Sequence, residues 1–229
     1  MSLPAEPLLR ALGIRKSFFK DSAEISVLKG VDLVIHRGEM VAITGASGAG
    51  KSTLLHILGT LEPPTSGNVI FEPDKQELFR LKEKDLAHFR NRTLGFVFQF
   101  HYLLPEFSAL ENVMMPALVA GHSRGPSLKQ AKELLSFVGL SHRLNHRPAE
   151  LSGGEQQRVA VARAVILRPQ IILADELTGN LDSVNSENIV NLLFELNREM
   201  GVSILMVTHD SHIAHKMHRV IEMRDGQLI

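Results

Sequence analysis

The chain contains no cysteine and no tryptophan, and aromatic residues make up only 5% of its 229 residues. Without cysteine it has no disulfide framework, no thiol nucleophile and no cysteine-ligated zinc or iron–sulfur site. It also lacks an excess of either charge, because 25 Lys and Arg balance 25 Asp and Glu. Zero net charge argues against broad nucleic-acid binding, which usually leaves a basic excess.

Long hydrophobic runs are missing as well. No apolar run approaches the roughly 20 residues that a membrane-spanning helix needs. Residues 1–10 include Pro4 and Glu6 and have no signal-peptide core. We therefore expect a protein that is cytoplasmic and meets a membrane only through partners.

Short apolar runs alternate with helix-forming segments, which predicts an α/β fold with a mostly parallel sheet. The N-terminal part reads as a strand at 33–35, a turn at Arg37 and Gly38, and a second strand running into a glycine-rich segment. The later segments predict a terminal hairpin at 220–229. The predicted strands are 33–35, Met40–Thr44, Leu94–Phe98, Ile171–Asp175 and Ser203–Val207, and the predicted helices are 51–60, 127–138, 155–167 and 184–200.

Residues 45–52, GASGAGKS, fit the phosphate-loop pattern G-x-x-x-x-G-K-[ST] at every fixed position. The glycines let backbone N–H groups turn toward phosphate oxygens, and the N-terminus of the following helix adds partial positive charge. We expect Lys51 to reach the β- and γ-phosphates of the nucleotide and Ser52 to ligate Mg²⁺. The predicted nucleotide-binding residues of this loop are Gly45, Ser47, Gly48, Gly50, Lys51, Ser52 and Thr53.

Two consecutive acids follow the apolar strand Ile171–Asp175. Asp175 is placed to hold Mg²⁺, directly or through water. Glu176 points to the other side of the strand if the backbone stays extended, and it can polarise the attacking water as a general base. On its own, the pair is explained equally well as an acid that ends a strand, followed by an acid that caps a helix. The phosphate loop in the same chain favours the catalytic interpretation.

A second glycine-rich segment, formed by Ser152, Gly153 and Gly154, precedes a predicted helix. Its hydroxyl, open amides and helix N-terminus suit a γ-phosphate. One chain does not need two such cradles for one nucleotide. We therefore predict a two-fold, head-to-tail dimer in which each Ser152 segment closes over the other chain's phosphate loop. Glu155 stands at capping-box spacing, so Ser152 can cap the helix with or without that role.

Three further residues are candidates by position. Gln99 ends a predicted strand, where its amide can touch Mg²⁺ or the attacking water. His209 follows another strand and can hydrogen-bond the γ-phosphate and orient Glu176. Phe18 or Phe19 can stack on the adenine ring; Phe18 is favoured, although an aromatic residue near a strand is more often part of a core.

Taken together, these motifs resemble the nucleotide-binding subunit of ATP-binding-cassette (ABC) transporters over residues 9–229. The resemblance implies one nucleotide-binding domain over 1–229, with a P-loop NTPase core of mostly parallel sheet and an N-terminal antiparallel β subdomain. It implies an α-helical lobe inserted at about 100–160. It assigns Gln99 to the Q-loop and His209 as the switch histidine, and it places Asp182 of the sequence GNLD (179–182) in a D-loop that crosses the dimer interface beside the nucleotide.

A narrower resemblance lies in residues 94–113, LGFVFQFHYLLPEFSALENV, which look like the ATPase of the bacterial lipoprotein-releasing system. It implies an Mg²⁺-dependent ATPase, peripheral on the cytoplasmic face of the inner membrane, that powers lipoprotein release. The segment from Phe100 to Phe107 would dock onto integral membrane subunits. Macrolide or peptide exporter ATPases and the non-transport ATPase of the cell-division ABC complex remain alternatives. A DNA-maintenance ATPase is disfavoured, because 99–152 has no sustained heptads and no cysteine.

One position departs from the family pattern. The residue after the catalytic glutamate is usually proline, and here it is Leu177. Proline would restrict Glu176 to an extended backbone. We expect leucine to position Glu176 less firmly but to leave ATP hydrolysis intact, because every chemical group is present.

Overall fold

The computed structural model describes residues 6–21 and 23–229. Residues 1–5, part of the N-terminal stretch inspected above for a signal peptide, lie outside it. The chain divides into two compact units, Met1–Arg90 with Ser203–Ile229, and Asn91–Val202. A single nucleotide-binding domain with a lobe at about 100–160 stays a prediction.

The first unit contains an antiparallel sheet in the order β2-β1-β4-β5. Two 14-residue strands form a long ribbon whose register pairs Leu9 with Ile35 at one end and Phe18 with Ile25 near the turn. Ile14, Leu28 and Ile35 are fully or almost fully buried, so one side of the ribbon faces the core. The strands are β1 (Pro7–Lys20), β2 (Ala23–His36), β4 (Ser66–Phe71) and β5 (Gln76–Glu77).

The same unit contains a set of parallel strands that leads to the phosphate loop. β3 (Met40–Thr44) pairs in parallel with both β8 and β9, and its first four residues are buried. All five residues of β8 are buried too, as expected of strands covered on both faces. The other elements of this part are α1 (Lys51–Leu58), β8 (Ser203–Val207), α7 (Ser211–Ala214), β9 (Arg219–Arg224) and β10 (Gln227–Leu228).

The second unit combines two parallel strands with helices. β6 pairs with β7 in a register that runs from Leu94 with Ile171 to Phe98 with Asp175. Helix α3 packs against both α4 and α5. Along the chain, α2 (Glu83–Thr93) leads into this unit. Its elements are β6 (Leu94–Phe98), α3 (Ala109–Val119), α4 (Arg124–Phe137), α5 (Gly153–Val165), β7 (Ile171–Asp175) and α6 (Ser183–Met200).

The predicted α/β class with a parallel-rich sheet and an N-terminal antiparallel sheet is confirmed. The predicted bounds of β3, β6, β7 and β8 are confirmed, as is the terminal hairpin of β9 and β10. The predicted strand at 33–35, turn at Arg37 and Gly38 and strand Met40–Thr44 are confirmed, but the two strands enter different sheets. The first segment is the end of β2, which pairs with β1, whereas β3 pairs with β8 and β9. The turn at Arg37 and Gly38 therefore carries the chain from one sheet to another.

Beyond the predicted set, the structure also contains β1, β4, β5, α2, α3 and α7. β1 was not predicted, because Gly13 and four basic residues interrupt its apolar pattern. Helix α3 was not predicted; Pro116 lies inside it, and proline usually kinks or ends a helix. Proline removes one backbone hydrogen bond and costs about 3 kcal/mol in an isolated helix interior. Burial of Val113, Met114 and Ala117 offsets that cost here.

Gly226 provides a test of close packing beneath the phosphate loop. Its φ is +82°, and an added Cβ would lie 2.3 Å from the carbonyl oxygen of Val27. Gly121 has a φ of +85° but open space around an added Cβ. We expect Gly121→Ala to lower the free energy of unfolding by about 1–2 kcal/mol from backbone strain alone. Gly226→Ala should lower it by about 3 kcal/mol, because strain and overlap combine.

Urea denaturation of both variants measures this difference. Equal losses for Gly226→Ala and Gly121→Ala would show that the approach to Val27 does not constrain the fold.

Candidate nucleotide-binding site

The phosphate loop follows β3 and ends in helix α1. Gly45, Gly48 and Gly50 have φ values of +140°, +80° and +106°, which other residues adopt only with strain. A Cβ on Gly45 would come within 2.1 Å of the carbonyl oxygen of Met223, so that position also lacks space for a side chain. Left-handed residues in such a loop turn successive N–H groups into one concavity, which binds anions.

Lys51 is held inside the loop. Its side chain is 6% exposed, and Nζ donates hydrogen bonds of 2.9 Å to the carbonyl oxygens of Gly45 and Ala46. These bonds use two of the three ammonium protons. Gly50 precedes α1 without a side-chain cap, so no capping side chain competes for the amides of the first turn. A fixed cation beside these amides fits a phosphate group.

Asp175 ends β7, as predicted, but Glu176 does not continue the strand. Its φ is +45°, in the left-handed region, and its carbonyl oxygen accepts a 2.9 Å bond from the amide of Gly179. The backbone at Glu176 is therefore not extended, so the condition on which its side chain was expected to point to the other side of the strand is not met. The chain turns at Glu176, and Leu177 is buried at 1% exposure. Leucine at this position contributes an apolar side chain to the core.

Gln99 contacts the GNLD segment within the second unit. Its Nε2 donates to Oδ1 of Asn180, and Nδ2 of Asn180 donates to the carbonyl oxygen of Gln99, both at 3.3 Å. A Cβ on Gly179 would lie 2.9 Å from Gln99 Nε2. The sequence analysis did not single out Asn180 as a functional residue, although the GNLD motif contains it.

Ser152 caps α5 through a reciprocal pair of hydrogen bonds. Its Oγ accepts from the amide of Glu155 at 3.3 Å, and the carboxylate of Glu155 accepts from the amide of Ser152 at 2.8 Å. Arg143 Nε lies 2.8 Å from the other carboxylate oxygen. The Ser152 amide and then Arg143 lower the pKa of Glu155 to about 2. Capping leaves the hydroxyl proton of Ser152 available to donate to a phosphate oxygen.

Asp182 lies close to the same helix start. It caps α6 by accepting hydrogen bonds from the backbone and side-chain nitrogens of Asn185, at 2.9 and 2.6 Å. The backbone bond from Asn185 lowers the pKa of Asp182. A Cβ on Gly154 would come 2.8 Å from Oδ1 of Asn185. The second unit therefore brings the Ser152 segment and Asp182 together around Asn185.

His209 and Phe18 belong to the first unit. His209 is exposed and follows β8, one residue after Thr208. Phe18 is 39% exposed, and Nζ of Lys16 lies 5.0 Å from its ring centroid. Phe19 is 75% exposed. The exposed ring of Phe18 fits stacking on a base, and its role stays a prediction.

The oxygen donors proposed for a metal are the Ser52 hydroxyl, the Gln99 amide and the Asp175 carboxylate. Within residues 6–21 and 23–229, no group of three or more His, Cys, Asp or Glu is placed to hold a metal. Mg²⁺ needs no such group, because it binds through one or two carboxylates together with substrate phosphates and water. The donor chemistry therefore fits Mg²⁺ bound with a nucleotide.

A family model for ABC transporters matches residues 28–179. The chain belongs to the ABC transporter family. Lipoprotein-releasing system ATP-binding proteins LolD are 54% identical in Syntrophus aciditrophicus, over 97% of this chain and 99% of the relative, and 51% identical in Geobacter metallireducens, over 97% and 98%.

Solved ABC cassettes share the fold. A dimeric ATP-binding cassette in a post-hydrolysis state with ADP and Pi is 40% identical, with a TM-score of 0.89 and 96% of each chain covered. A dimeric bacterial ABC transporter cassette is 41% identical, also with a TM-score of 0.89 and 96% of each chain covered. The predictions of family, fold and ABC-type ATPase activity are confirmed. The roles of individual site residues stay predictions.

Lowering the pH should weaken the helix cap at Ser152, because it protonates the carboxylate of Glu155. Because folding lowers the pKa of Glu155 from 4.5 to about 2, its stabilising contribution is complete above pH 4.5 and is lost as the pH falls toward 2. We expect the free energy of unfolding of the parent to exceed that of Glu155→Gln at pH 6, and the difference to shrink as the pH falls from 4.5 toward 2. Urea titrations across this range measure the convergence.

Glu133→Gln, at an exposed position of α4, is the control and should keep a constant offset from the parent. A constant offset for Glu155→Gln as well would contradict the proposed ionic cap.

Proposed function

We propose that this ABC ATPase binds Mg-ATP between two head-to-tail copies and powers the release of lipoproteins from the bacterial inner membrane. The observation that carries the proposal is the 54% identity to a lipoprotein-releasing system ATP-binding protein over 97% of this chain. The proposed location is the cytoplasmic face of that membrane, as a peripheral subunit. Among the described residues, no helix is both long and apolar enough to cross a membrane.

The proposed chemistry uses the fixed groups described above. Lys51 and the phosphate-loop amides hold the β- and γ-phosphates, while Ser52, Gln99 and Asp175 hold Mg²⁺. When bound there, Mg²⁺ would supply positive charge that offsets the negative charge developing in the transition state. Glu176 accepts a proton from water as the water oxygen attacks the γ-phosphorus. The bond from that phosphorus to the bridging oxygen breaks, and ADP and phosphate leave.

His209 is proposed to hydrogen-bond the γ-phosphate and to orient Glu176. In the dimer, Ser152, Gly153 and Gly154 of one copy close over the phosphate loop of the other, with Asp182 at the interface. The exposed Ser152 and its free hydroxyl proton support this role. The dimeric state of the two similar cassettes also supports it.

Residues 100–107, the docking segment, are proposed to contact integral membrane subunits. Phe100 is 62% exposed and Tyr102 is 66% exposed, while Leu104 and Phe107 are 40% and 37% exposed. Exposed aromatic groups close together on a surface suit a protein partner, because they supply large contact areas. Membrane contact is proposed to occur only through these partners, and no nucleic-acid partner is proposed.

Replacing the general base should separate binding from hydrolysis. Removal of a general base typically costs about 10²–10⁴-fold in rate. We expect Glu176→Gln to lose ATP hydrolysis by that factor, to retain ATP binding and to accumulate as a dimer with Mg-ATP. Phosphate release and size-exclusion chromatography measure these effects.

Glu195→Gln, at an exposed position of α6, is the matched control and should behave as the parent. Parental hydrolysis by Glu176→Gln would remove Glu176 from the mechanism.

Isolating the binding partners of the chain tests whether it belongs to a lipoprotein-releasing complex. Tagged Glu176→Gln, purified with Mg-ATP from detergent-solubilised native membranes, should retain lipoprotein-releasing membrane subunits and trapped lipoproteins, identified by mass spectrometry. Adding Phe100→Ser and Tyr102→Ser should lower that recovery about tenfold or more, because aromatic anchors dominate interface energies. Val119→Ser removes a 71% exposed residue of the same unit and is the control.

Recovery of exporter or cell-division subunits would overturn the lipoprotein assignment and keep the ATPase mechanism. Equal recovery with and without the two serine substitutions would remove the docking role of Phe100 and Tyr102.

A further inference from the structure

The docking segment turns its side chains outward and its backbone inward. Phe100 and Tyr102 are largely exposed, yet several carbonyl groups of the segment accept hydrogen bonds from side chains of two helices. Loops on protein surfaces usually hydrate such groups instead. The bonds therefore fix the shape of this loop from beneath.

Asn112, on α3, holds the second half of the segment. It is fully buried, and its Oδ1 accepts a 2.8 Å bond from the amide of Leu104. Its Nδ2 lies 3.1 Å from the carbonyl oxygen of Leu104 and 3.0 Å from those of Phe107 and Ser108. One buried amide thus closes the loop between residues 104 and 108.

Arg163, on α5, holds the first half. Its guanidinium donates to the carbonyl oxygens of Tyr102 at 2.6 Å and His101 at 2.8 Å. Gln157 of the same helix is fully buried and reaches the carbonyl oxygen of Phe98 at 3.4 Å. Helix α5, which begins at the Ser152 segment, therefore holds the chain on both sides of Gln99.

The backbone of Tyr102 needs the support of these hydrogen bonds, because it is strained. Its φ is +45°, a conformation that strains an aromatic residue. Arg163 donates one of its hydrogen bonds to the carbonyl oxygen of this strained residue. The Tyr102 ring meets Phe98 edge-on at 5.4 Å and lies 6.5 Å from Phe100. The strained backbone thus presents an exposed ring in one orientation.

We propose that Asn112 and Arg163 are positioning residues that pre-form the docking segment for the membrane subunits. This inference rests on the proposed docking role of residues 100–107. A loop that is already ordered loses little conformational entropy on binding. More of the favourable free energy of its aromatic contacts therefore contributes to affinity. Neither side chain needs to touch the partner to have this effect.

Hydrogen–deuterium exchange of the isolated chain tests the order of the loop. Asn112→Ala and Arg163→Lys should raise exchange in residues 100–108 about tenfold, because each removes hydrogen bonds that hold this backbone. Exchange in β6, β7 and α6 should stay at the parental rate.

Two control variants remove comparable bonds elsewhere. Nδ2 of Asn197 lies 2.7 Å from the carbonyl oxygen of Val202, and Nη1 of Arg158 lies 3.1 Å from that of Val138. Asn197→Ala and Arg158→Lys should leave exchange in the docking segment unchanged. Increased exchange across the whole unit in Asn112→Ala and Arg163→Lys would show general stabilisation and overturn the inference.

Binding to inner-membrane vesicles of the source organism, washed with urea to remove the native chain, provides the second readout. We expect Asn112→Ala and Arg163→Lys to raise the half-saturating vesicle concentration about tenfold and to regain full binding at high concentration. Should Asn112→Ala fail to fold, Arg163→Lys decides, because it keeps the positive charge.

The outcomes separate two failures. Absence of binding by the parent overturns the docking role and this inference with it. Parental binding by variants whose docking segment exchanges faster overturns only the inference, because a loosened loop would then dock as well as an ordered one.

Discussion

The site depends on one constraint, the need to surround phosphate charge with backbone amides at the end of a buried strand. Gly45, Gly48 and Gly50 meet it with positive φ values, and Gly45 also leaves room for the carbonyl of Met223. The ammonium of Lys51 is fixed by two carbonyls of the same loop. β3, which leads into this loop, is largely buried and pairs in parallel with a strand on each side. The backbone of this loop and Lys51 therefore shape the cradle, the kind of arrangement on which catalysis by preorganised electrostatics depends.

The second glycine-rich segment uses the same helix-terminus physics but is tied differently. The side chains of Ser152 and Glu155 each accept a hydrogen bond from the backbone amide of the other residue, and Arg143 holds the carboxylate of Glu155. A helix start that is already capped does not need a phosphate for its own stability. The order of this helix start therefore comes from within the second unit. The packing of Asn185 between Gly154 and Asp182 extends this order to the start of α6.

The sequence predicted most of the site because fixed spacing carries its chemistry. Asp175 lies at the strand end, Ser152 caps its helix, and β3 runs into the phosphate loop, all as their neighbours in sequence required. The sequence left open where the backbone leaves its regular path. Glu176 directly follows a strand, yet its φ is +45°. Long-range pairing also escaped it, since β2 joins β1 and not its neighbour β3. Local pattern does not determine which sheet a strand enters.

Side chains that hydrogen-bond to the backbone of distant residues produce no sequence pattern that would predict this role. Asn112 and Arg163 lie mid-helix, where an asparagine usually weakens a helix and an arginine usually faces water. Only the folded chain shows that both meet carbonyl groups of one loop. Burying polar groups is costly unless they are hydrogen-bonded, and a strained Tyr102 adds to that cost. Because Asn112 and Arg163 are both hydrogen-bonded, the cost that remains at this exposed loop is the strain at Tyr102. The gain is a surface whose aromatic groups keep a fixed orientation.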